Sequence, residues 1–213
     1  MMNDVRFFIR LSIAFWIRIS VRVSTELVAS SRMRIFGSAN TARAMVSNCI
    51  FSGNSSNLHG GGMANYSGSS PTVINCKFTG NTATIHGGGI FNNQSSPTVI
   101  NCTFMDNKAG QGGGGIRNDW SGTTVTNCTF SGNRAAFGGG IYRQAGTVNV
   151  TNSIVANSPG GGNCSGALSG SHNLADDTSC GAGFTNSSII SLGALDDYGG
   201  STQTFALLRD SAA

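Results

Sequence analysis

Charged residues are scarce in this chain of 213 residues, at 10% of the sequence. That share is too low for a disordered tail, which stays unfolded because it is highly charged. The sequence also has no run of about 20 apolar residues, the length that a membrane-spanning helix needs, so we expect no transmembrane segment. Glycine, in contrast, is abundant, with 31 residues. That number disfavours a helical bundle and indicates strands joined by tight turns.

The formal net charge of +4 comes from one end of the chain. Seven of the thirteen basic residues lie before residue 46, and the rest of the chain has six basic and seven acidic residues. A nucleic-acid-binding domain shows a basic patch or stripe. The nearly neutral remainder of this chain predicts no nucleic-acid partner.

A pattern of nine residues, Val-x-Asn-Cys-x-Phe-x-x-Asn, occurs four times from Val46 to Asn133 and weakens in a fifth copy. Its cysteine position is occupied by Cys49, Cys76, Cys102, Cys128 and then Ser153, at steps of 27, 26, 26 and 25 residues. A second motif, Gly-Gly-Gly-Ile or Gly-Gly-Gly-Met, keeps the same step at 60–63, 87–90, 113–116 and 138–141. A fixed period in this range predicts a solenoid, a propeller or an array.

Side-chain alternation within each repeat predicts the path of the chain. Cys102 and Phe104 fall on one face, and Thr103 falls on the other. Val99 shares the face of Cys102 only if Asn101 bends the chain, and asparagine tolerates the left-handed conformation that such a corner needs. Three short strands and three turns per repeat predict an all-β fold, one coil of a single-stranded parallel β-helix. Stacked coils would form inward columns of Val, Cys and Phe, and the corner asparagines would bond along the axis.

The repeats divide the chain into three parts. Residues 46–158 form the predicted β-helix body, and residues 159–213 form a C-terminal coil or cap. Residues 1–45 carry no repeat, although apolar and polar residues alternate from Ile9 to Ser24 as in a strand. Three interpretations of this segment stay open: a capping strand region, an atypical export signal with small residues near 28–31, or a segment foreign to the fold.

The repeated motifs resemble a known group of proteins. The Phe-x-x-Asn strings at 51–54, 78–81, 104–107 and 130–133 alternate with the glycine motif, as in polymorphic outer membrane protein repeats. The segment from Asn163 to Ser211 is similar to the C-terminal part of choice-of-anchor Q surface proteins. This resemblance implies an exported, right-handed parallel β-helix on a microbial cell surface, often with an adhesive role. Those proteins continue to an anchor, so we expect this chain to be truncated before one.

The six cysteines divide into two groups. The four in the repeats lack Cys-x-x-Cys spacing and occur once per coil, which predicts small buried apolar side chains and no zinc cage. Cys164 and Cys180 lie outside that column and, in an exported protein, are candidates for a disulfide that closes a loop of sixteen residues. The glycine motifs are not followed by Lys-Ser or Lys-Thr, as a phosphate loop would be. We therefore expect no cofactor and no metal.

A candidate ligand face follows each glycine motif. The side chain after Met or Ile is expected to point outward and to stack with its equivalents in the next coils. The first predicted row is Ala64, Phe91, Arg117 and Tyr142, and the row beside it is Tyr66, Asn93, Asp119 and Gln144. Aromatic and planar polar side chains on a flat sheet suit a sugar chain or the surface of a partner protein. An ordinary solvated face with scattered aromatic residues is the alternative.

Three functions are compatible with these patterns. The first is a structural or adhesive protein, monomeric and either secreted or associated with the outer membrane, that binds extracellular glycans or surface proteins. The second is a polysaccharide lyase or hydrolase, and the third is a scaffold fragment without a ligand. Glycosidases need a pair of carboxyl groups and calcium-dependent lyases need an acidic cluster. The four clear coils contain only Asp106 and Asp119, which favours a protein that is not an enzyme.

Overall fold

The computed structural model describes residues 18–19, 33–36, 44–197, 203–209 and 211, and all secondary structure in this part of the chain is strand. The strands are β1 (Arg18–Ile19), β2 (Met33–Phe36), β3 (Met45–Ser47), β4 (Ile50–Ser52), β5 (Ser55–Ser56), β6 (Met63–Tyr66), β7 (Thr72–Ile74), β8 (Lys77–Thr79), β9 (Thr82–Ala83), β10 (Ile90–Asn93), β11 (Thr98–Ile100), β12 (Thr103–Met105), β13 (Lys108–Ala109), β14 (Ile116–Asp119), β15 (Ser121–Thr126), β16 (Thr129–Ser131), β17 (Ile141–Arg143), β18 (Gly146–Thr151), β19 (Ile154–Ala156), β20 (Cys164–Ser165), β21 (Ser169–Ser171), β22 (Asn173–Ala175), β23 (Phe184–Asn186), β24 (Leu192–Asp196) and β25 (Thr204–Leu207).

The strands form three long parallel sheets, which we name after their inward residues. The valine sheet has the order β1-β3-β7-β11-β15-β18-β21, the isoleucine sheet β2-β6-β10-β14-β17-β20, and the phenylalanine sheet β4-β8-β12-β16-β19-β22-β23. A short parallel sheet, β5-β9-β13, lies between the phenylalanine and isoleucine sheets in the path of the first three repeat coils. Neighbours in each sheet come from successive coils, so the predicted parallel β-helix is confirmed.

The core consists of residue columns that run along the helix axis. Strand pairing aligns Val73 with Val99, and Phe78 with Phe104, because the repeat length matches one turn of the coil. The rings of Phe51, Phe78, Phe104 and Phe130 stack almost parallel, with successive centroids 4.6, 4.8 and 4.5 Å apart. This is close to the spacing of hydrogen-bonded strands. The Val, Cys and Phe columns are buried, which confirms the predicted inward face.

The predicted asparagine corner is also confirmed. The corner residues have φ between 52 and 55° and are Asn48, Asn75, Asn101, Asn127 and Asn152. Each of the last four donates from Nδ2 to Oδ1 of the corner residue in the preceding coil, at 2.7 to 3.3 Å. The left-handed bend is what allows Val and Cys, three positions apart, to point to the same side.

A second asparagine column is completely buried and lies in the turn after each phenylalanine strand. Its members are Asn54, Asn81, Asn107 and Asn133. Oδ1 of Asn107 accepts from the backbone N and the Nδ2 of Asn81, at 3.0 and 2.9 Å. Nδ2 of Asn107 donates to the carbonyl of Phe78 and to Oδ1 of Asn133, both at 2.9 Å. This network satisfies the side-chain polar groups of Asn81 and Asn107 inside the coil stack.

The glycine motifs allow the coils to approach closely. A Cβ atom on Gly88 would lie 2.5 Å from the carbonyl oxygen of Gly114 in the next coil. The backbone N–H of Gly88 donates to Gly113 O at 3.0 Å. A larger residue would push these bonded coils apart, which explains why glycine recurs at the same step as the other motifs.

Strand pairing continues across residues 46 and 158, the predicted boundaries of the β-helix body. Strands β1 and β2 pair with β3 and β6, and β20, β21 and β22 pair with β17, β18 and β19. The alternation from Ile9 to Ser24 lies outside the described residues except at 18–19. Among the residues that the structure describes, no helix is long and apolar enough to cross a membrane.

The C-terminal hairpin covers part of the phenylalanine sheet. Strands β24 and β25 pair in antiparallel fashion, and Gln203 immediately precedes β25. Its carbonyl accepts from Thr103 Oγ1 at 3.2 Å, and its Oε1 accepts from Lys77 Nζ at 2.8 Å. Thr103 points away from the core, as predicted, but it is only 2% exposed. Thr103 is buried because a segment distant in sequence lies over it.

Candidate functional site

The predicted ligand face lies on the outside of the isoleucine sheet. Strand register aligns Ala64 with Phe91, Phe91 with Arg117, and Arg117 with Tyr142. The inward neighbour of Phe91 is Ile90, which belongs to the hydrophobic core. The first predicted row is therefore one continuous column on the side of the sheet away from that core.

This column is not open to solvent, and that part of the prediction is wrong. Phe91 is 2% exposed, Arg117 and Asp119 are also buried, and Tyr66 and Tyr142 are half-buried. The side chains that cover Phe91 are histidines from the turns before the first two glycine motifs. His59 stacks on the ring of Phe91, with the centroids 4.5 Å apart. A ligand can therefore reach this face only at its edges.

The covering histidines form one end of an aromatic cluster. The rings of His59 and His86 stack with centroids 5.0 Å apart, and Tyr66 lies 5.7 Å from the Phe91 ring. Burial lowers the pKa of His86 to about 4, and the positive charge of Arg117 acts in the same direction. His86 is therefore neutral at pH 7 and acts as an aromatic cover.

The other end of the face is built around Arg117. Its Nε lies 2.7 Å from Oδ1 of Asp119, and its Cζ lies 4.4 Å above the ring centroid of Tyr142. A second guanidinium nitrogen donates to Gln144 Oε1. The ion pair, the cation–π contact and the hydrogen bond to Gln144 together occupy the guanidinium group. The Asp119 carboxylate therefore has a cationic partner two residues away on the same strand.

Gly112 provides the space for this arrangement. It takes the place that His86 holds in the preceding coil. A Cβ atom on Gly112 would lie 2.4 Å from Cδ1 of Tyr142 and 2.6 Å from Nη1 of Arg117. The change from histidine to glycine therefore lets the arginine fold down onto the tyrosine.

A family comparison agrees with this architecture. The family model described as a right handed beta helix region matches residues 19–155, which is more than half of the chain. The chain belongs to the right-handed β-helix family. Comparison with curated proteins and with solved structures gave no match. Right-handed β-helices carry several unrelated functions, so the function of this one has to be argued from its side chains.

The four cysteines of the β-helix coils are packing residues. Sγ of Cys102 donates to Ile100 O at 3.2 Å and accepts from the backbone N of Cys76 at 3.4 Å. The hydrogen bond with the Cys102 thiol, together with burial, raises the pKa of Cys76 to about 12. Such thiols are protonated and unreactive. In the part of the β-helix that the structure describes, no group of three or more His, Cys, Asp or Glu side chains could hold a metal ion.

Cys164 and Cys180 form a disulfide near the C-terminal end of the β-helix, with their Cα atoms 4.7 Å apart. The loop that it closes is also held by Ser179, whose Oγ accepts from the backbone N of Cys164 at 2.9 Å. Burial alone would raise the pKa of Asp177. Hydrogen bonds from Ser179 and Asn163 outweigh that effect and lower the pKa. The carboxylate is thus a structural acceptor that fixes the loop.

Sequence reasoning missed an aromatic residue at the corner that follows β14. Trp120 is 70% exposed and has φ of 54°. Ser67 and Gln94 occupy the same corner in earlier coils, with φ of 51 and 50°. The signal in the sequence was a single tryptophan at a position that otherwise holds small or polar residues.

Acid is expected to destabilise the protein through His86. Histidine in the unfolded chain titrates near pH 6.5, whereas the folded-state pKa is about 4. The unfolded state therefore binds the proton first, so the contribution of His86 to stability is complete above pH 6.5 and is lost as the pH falls to about 4. We expect a loss of roughly 1 kcal/mol, since solvent screens this half-buried ring.

Urea titrations at neutral and acid pH would test this dependence. The matched variant is His86→Phe, because Phe137 takes the same place in the fourth coil. It should keep the aromatic cover but show a smaller loss of stability in acid. An equal loss in both proteins would show that other groups are responsible.

Proposed function

We propose that this β-helix is an exported protein of the cell surface with a structural or adhesive role, one that binds glycans or proteins without cleaving them. The observation that carries the proposal is the ion pair of Asp119 with Arg117 at 2.7 Å. Asp119 is the only carboxylate on the outer face of the four isoleucine strands β6, β10, β14 and β17. Its pairing leaves the outer face of these four strands without an unpaired carboxylate.

The positions of the carboxylates argue against glycoside hydrolysis. That reaction uses two carboxyl groups on opposite sides of the scissile bond, about 5 to 9.5 Å apart. The four clear coils contain only Asp106 and Asp119. Asp106 lies in the turn after β12 of the phenylalanine sheet, whereas Asp119 ends β14 of the isoleucine sheet. The two carboxylates therefore project from different faces of the β-helix.

Export is supported by the disulfide between Cys164 and Cys180. Disulfides persist in oxidising compartments and are rare in the cytosol. The four thiols in the coils are buried, so they are shielded from oxidants and mispairing. The chain is thus suited to a location outside the cytoplasm, and a surface role is the function that the resemblance to surface β-helix repeats implies.

The non-cleaving role can be tested with pectin-like polymers, with and without calcium. We expect no new reducing ends and no unsaturated products, while the same preparation binds extracellular glycans or matrix proteins. Turnover that disappears in Asp119→Asn would contradict the proposal. Asp106→Asn is the matched control, because it removes the other carboxylate of the four coils and leaves the Arg117 pair intact.

A further inference from the structure

Trp120 has an unfavourable left-handed backbone conformation, and its side chain is not buried in compensation. Left-handed φ values are unfavourable by roughly 1 to 2 kcal/mol for residues other than glycine, asparagine and aspartate. The fold imposes this bend, since Ser67 and Gln94 share it. With 70% of its surface exposed, Trp120 gains little from packing. A strained and solvent-exposed aromatic residue is a candidate for a functional role.

The surroundings of Trp120 are polar and contain hydroxyl groups. Gln94 lies at the equivalent corner of the preceding coil and is exposed. A Cβ atom on Gly122, two residues after Trp120, would lie 3.1 Å from Ser96 Oγ and 3.5 Å from Thr147 Oγ1. These hydroxyls belong to the coils on either side, and the backbone N–H of Gly122 donates to Ser96 Oγ at 3.2 Å.

One cationic side chain contributes to the same edge. Arg143 Nη1 donates to the carbonyl of Gly146 at 2.7 Å, and Gly146 is paired with Ser121, next to Trp120. The nearest carboxylate in the sequence, Asp119, is buried and paired with Arg117. The edge therefore offers an apolar aromatic face, an amide, two hydroxyls and a guanidinium group.

We propose that Trp120 is the stacking platform of a binding site for the pyranose rings of an extracellular glycan, an inference that rests on the adhesive function proposed above. A pyranose has an apolar C–H face that fits an indole ring and a rim of hydroxyls that needs both donors and acceptors. Tryptophan offers a large contact area at a small cost in conformational entropy. Gln94, Ser96 and Thr147 supply the polar partners beside it.

A protein partner fits this edge less well. Protein-binding hot spots lie in well-packed pockets that exclude water and are surrounded by other apolar contacts. Here a single indole stands among hydroxyl and amide groups on an open edge. The chemistry matches a ligand that is itself covered with hydroxyl groups.

The proposal predicts that one substitution at Trp120 raises the stability of the protein and weakens its binding to glycans. Trp120→Asn should raise the melting temperature by about 2 to 4 °C, because asparagine tolerates the left-handed corner. It occupies such corners in this chain, for example at Asn101. The same variant should bind immobilised oligosaccharides about tenfold more weakly than the natural protein does, as expected for the loss of one aromatic stacking contact.

The binding experiment uses an array of neutral hexose and uronic acid oligosaccharides, probed with the whole protein. Phe137→Ala is the matched control. Phe137 is also an exposed aromatic residue, at 59%, but it lies at the other edge of the isoleucine sheet, before the glycine motif. We expect Phe137→Ala to bind like the natural protein and Trp120→Asn to bind about tenfold more weakly to whichever sugar class the natural protein recognises.

Four results would overturn the inference. Unchanged glycan binding by Trp120→Asn would remove Trp120 from the site and leave the adhesive function standing. A lower melting temperature in Trp120→Asn would show that the indole is a packing residue. Binding to matrix proteins without binding to any oligosaccharide would also leave the adhesive function intact, whereas no binding to either class would contradict both proposals.

Discussion

Truncation of Phe104 to alanine is expected to lower the free energy of unfolding by about 3 to 5 kcal/mol, the usual cost of removing a buried aromatic side chain. The Phe104 ring is fully buried between Phe78 and Phe130, with centroid distances of 4.8 and 4.5 Å. The neighbouring rings are held by their own coils and cannot close the gap. The cavity therefore adds to the lost burial of the ring.

Ile50→Ala is the matched control for Phe104→Ala. Ile50 belongs to the same phenylalanine sheet but points outward and is 56% exposed, so we expect a change within about 0.5 kcal/mol. Thr103→Ala should have an intermediate effect of about 1 kcal/mol, because its hydroxyl bonds to Gln203 under the C-terminal hairpin. Denaturant titrations would measure all three. Equal effects for Phe104 and Ile50 would contradict the assignment of the inner face.

Asn107→Ala is expected to be as damaging as the loss of the phenylalanine, at about 3 to 5 kcal/mol. The Asn107 side chain makes four buried hydrogen bonds, to the backbone and side chain of Asn81, to Phe78 O and to Asn133 Oδ1. Each buried group that loses its only partner costs about 1 to 3 kcal/mol. Water cannot replace these bonds unless the coils separate.

Asn101→Gly is the corresponding control, because Asn101 belongs to the exposed corner column. It also bonds to asparagines in both adjacent coils, at 3.2 and 3.1 Å, but solvent can replace those bonds. Glycine adopts the left-handed φ of 52° without strain. We expect a change of less than about 1 kcal/mol in the same titrations. A larger effect for Asn101→Gly than for Asn107→Ala would show that the corner column, and not the buried one, holds the coils together.

The inward columns could be predicted from the sequence because each rests on local geometry. Alternation in a strand determines which residues share a face, and the break in alternation between Val99 and Cys102 required a bend at Asn101. The repeat step of about 26 residues then placed equivalent residues above one another. These inferences need no information about distant segments.

The outer face could not be predicted in the same way, since alternation gives the direction of a side chain but not what lies over it. Phe91 and Arg117 point away from the core as predicted. Phe91 is buried because the turns that carry His59 and His86 fold back over the sheet. Arg117 is buried because Gly112 leaves room for its side chain. Thr103 is covered by Gln203, which lies 100 residues later in the chain.

Fractionation of the native cells tests the proposed function most directly, with detection of the full chain in cytoplasm, cell envelope and medium. We expect the protein in the envelope or the medium, with Cys164 and Cys180 joined there by a disulfide. A protein confined to the cytoplasm with both of these thiols reduced would contradict export and, with it, the surface role.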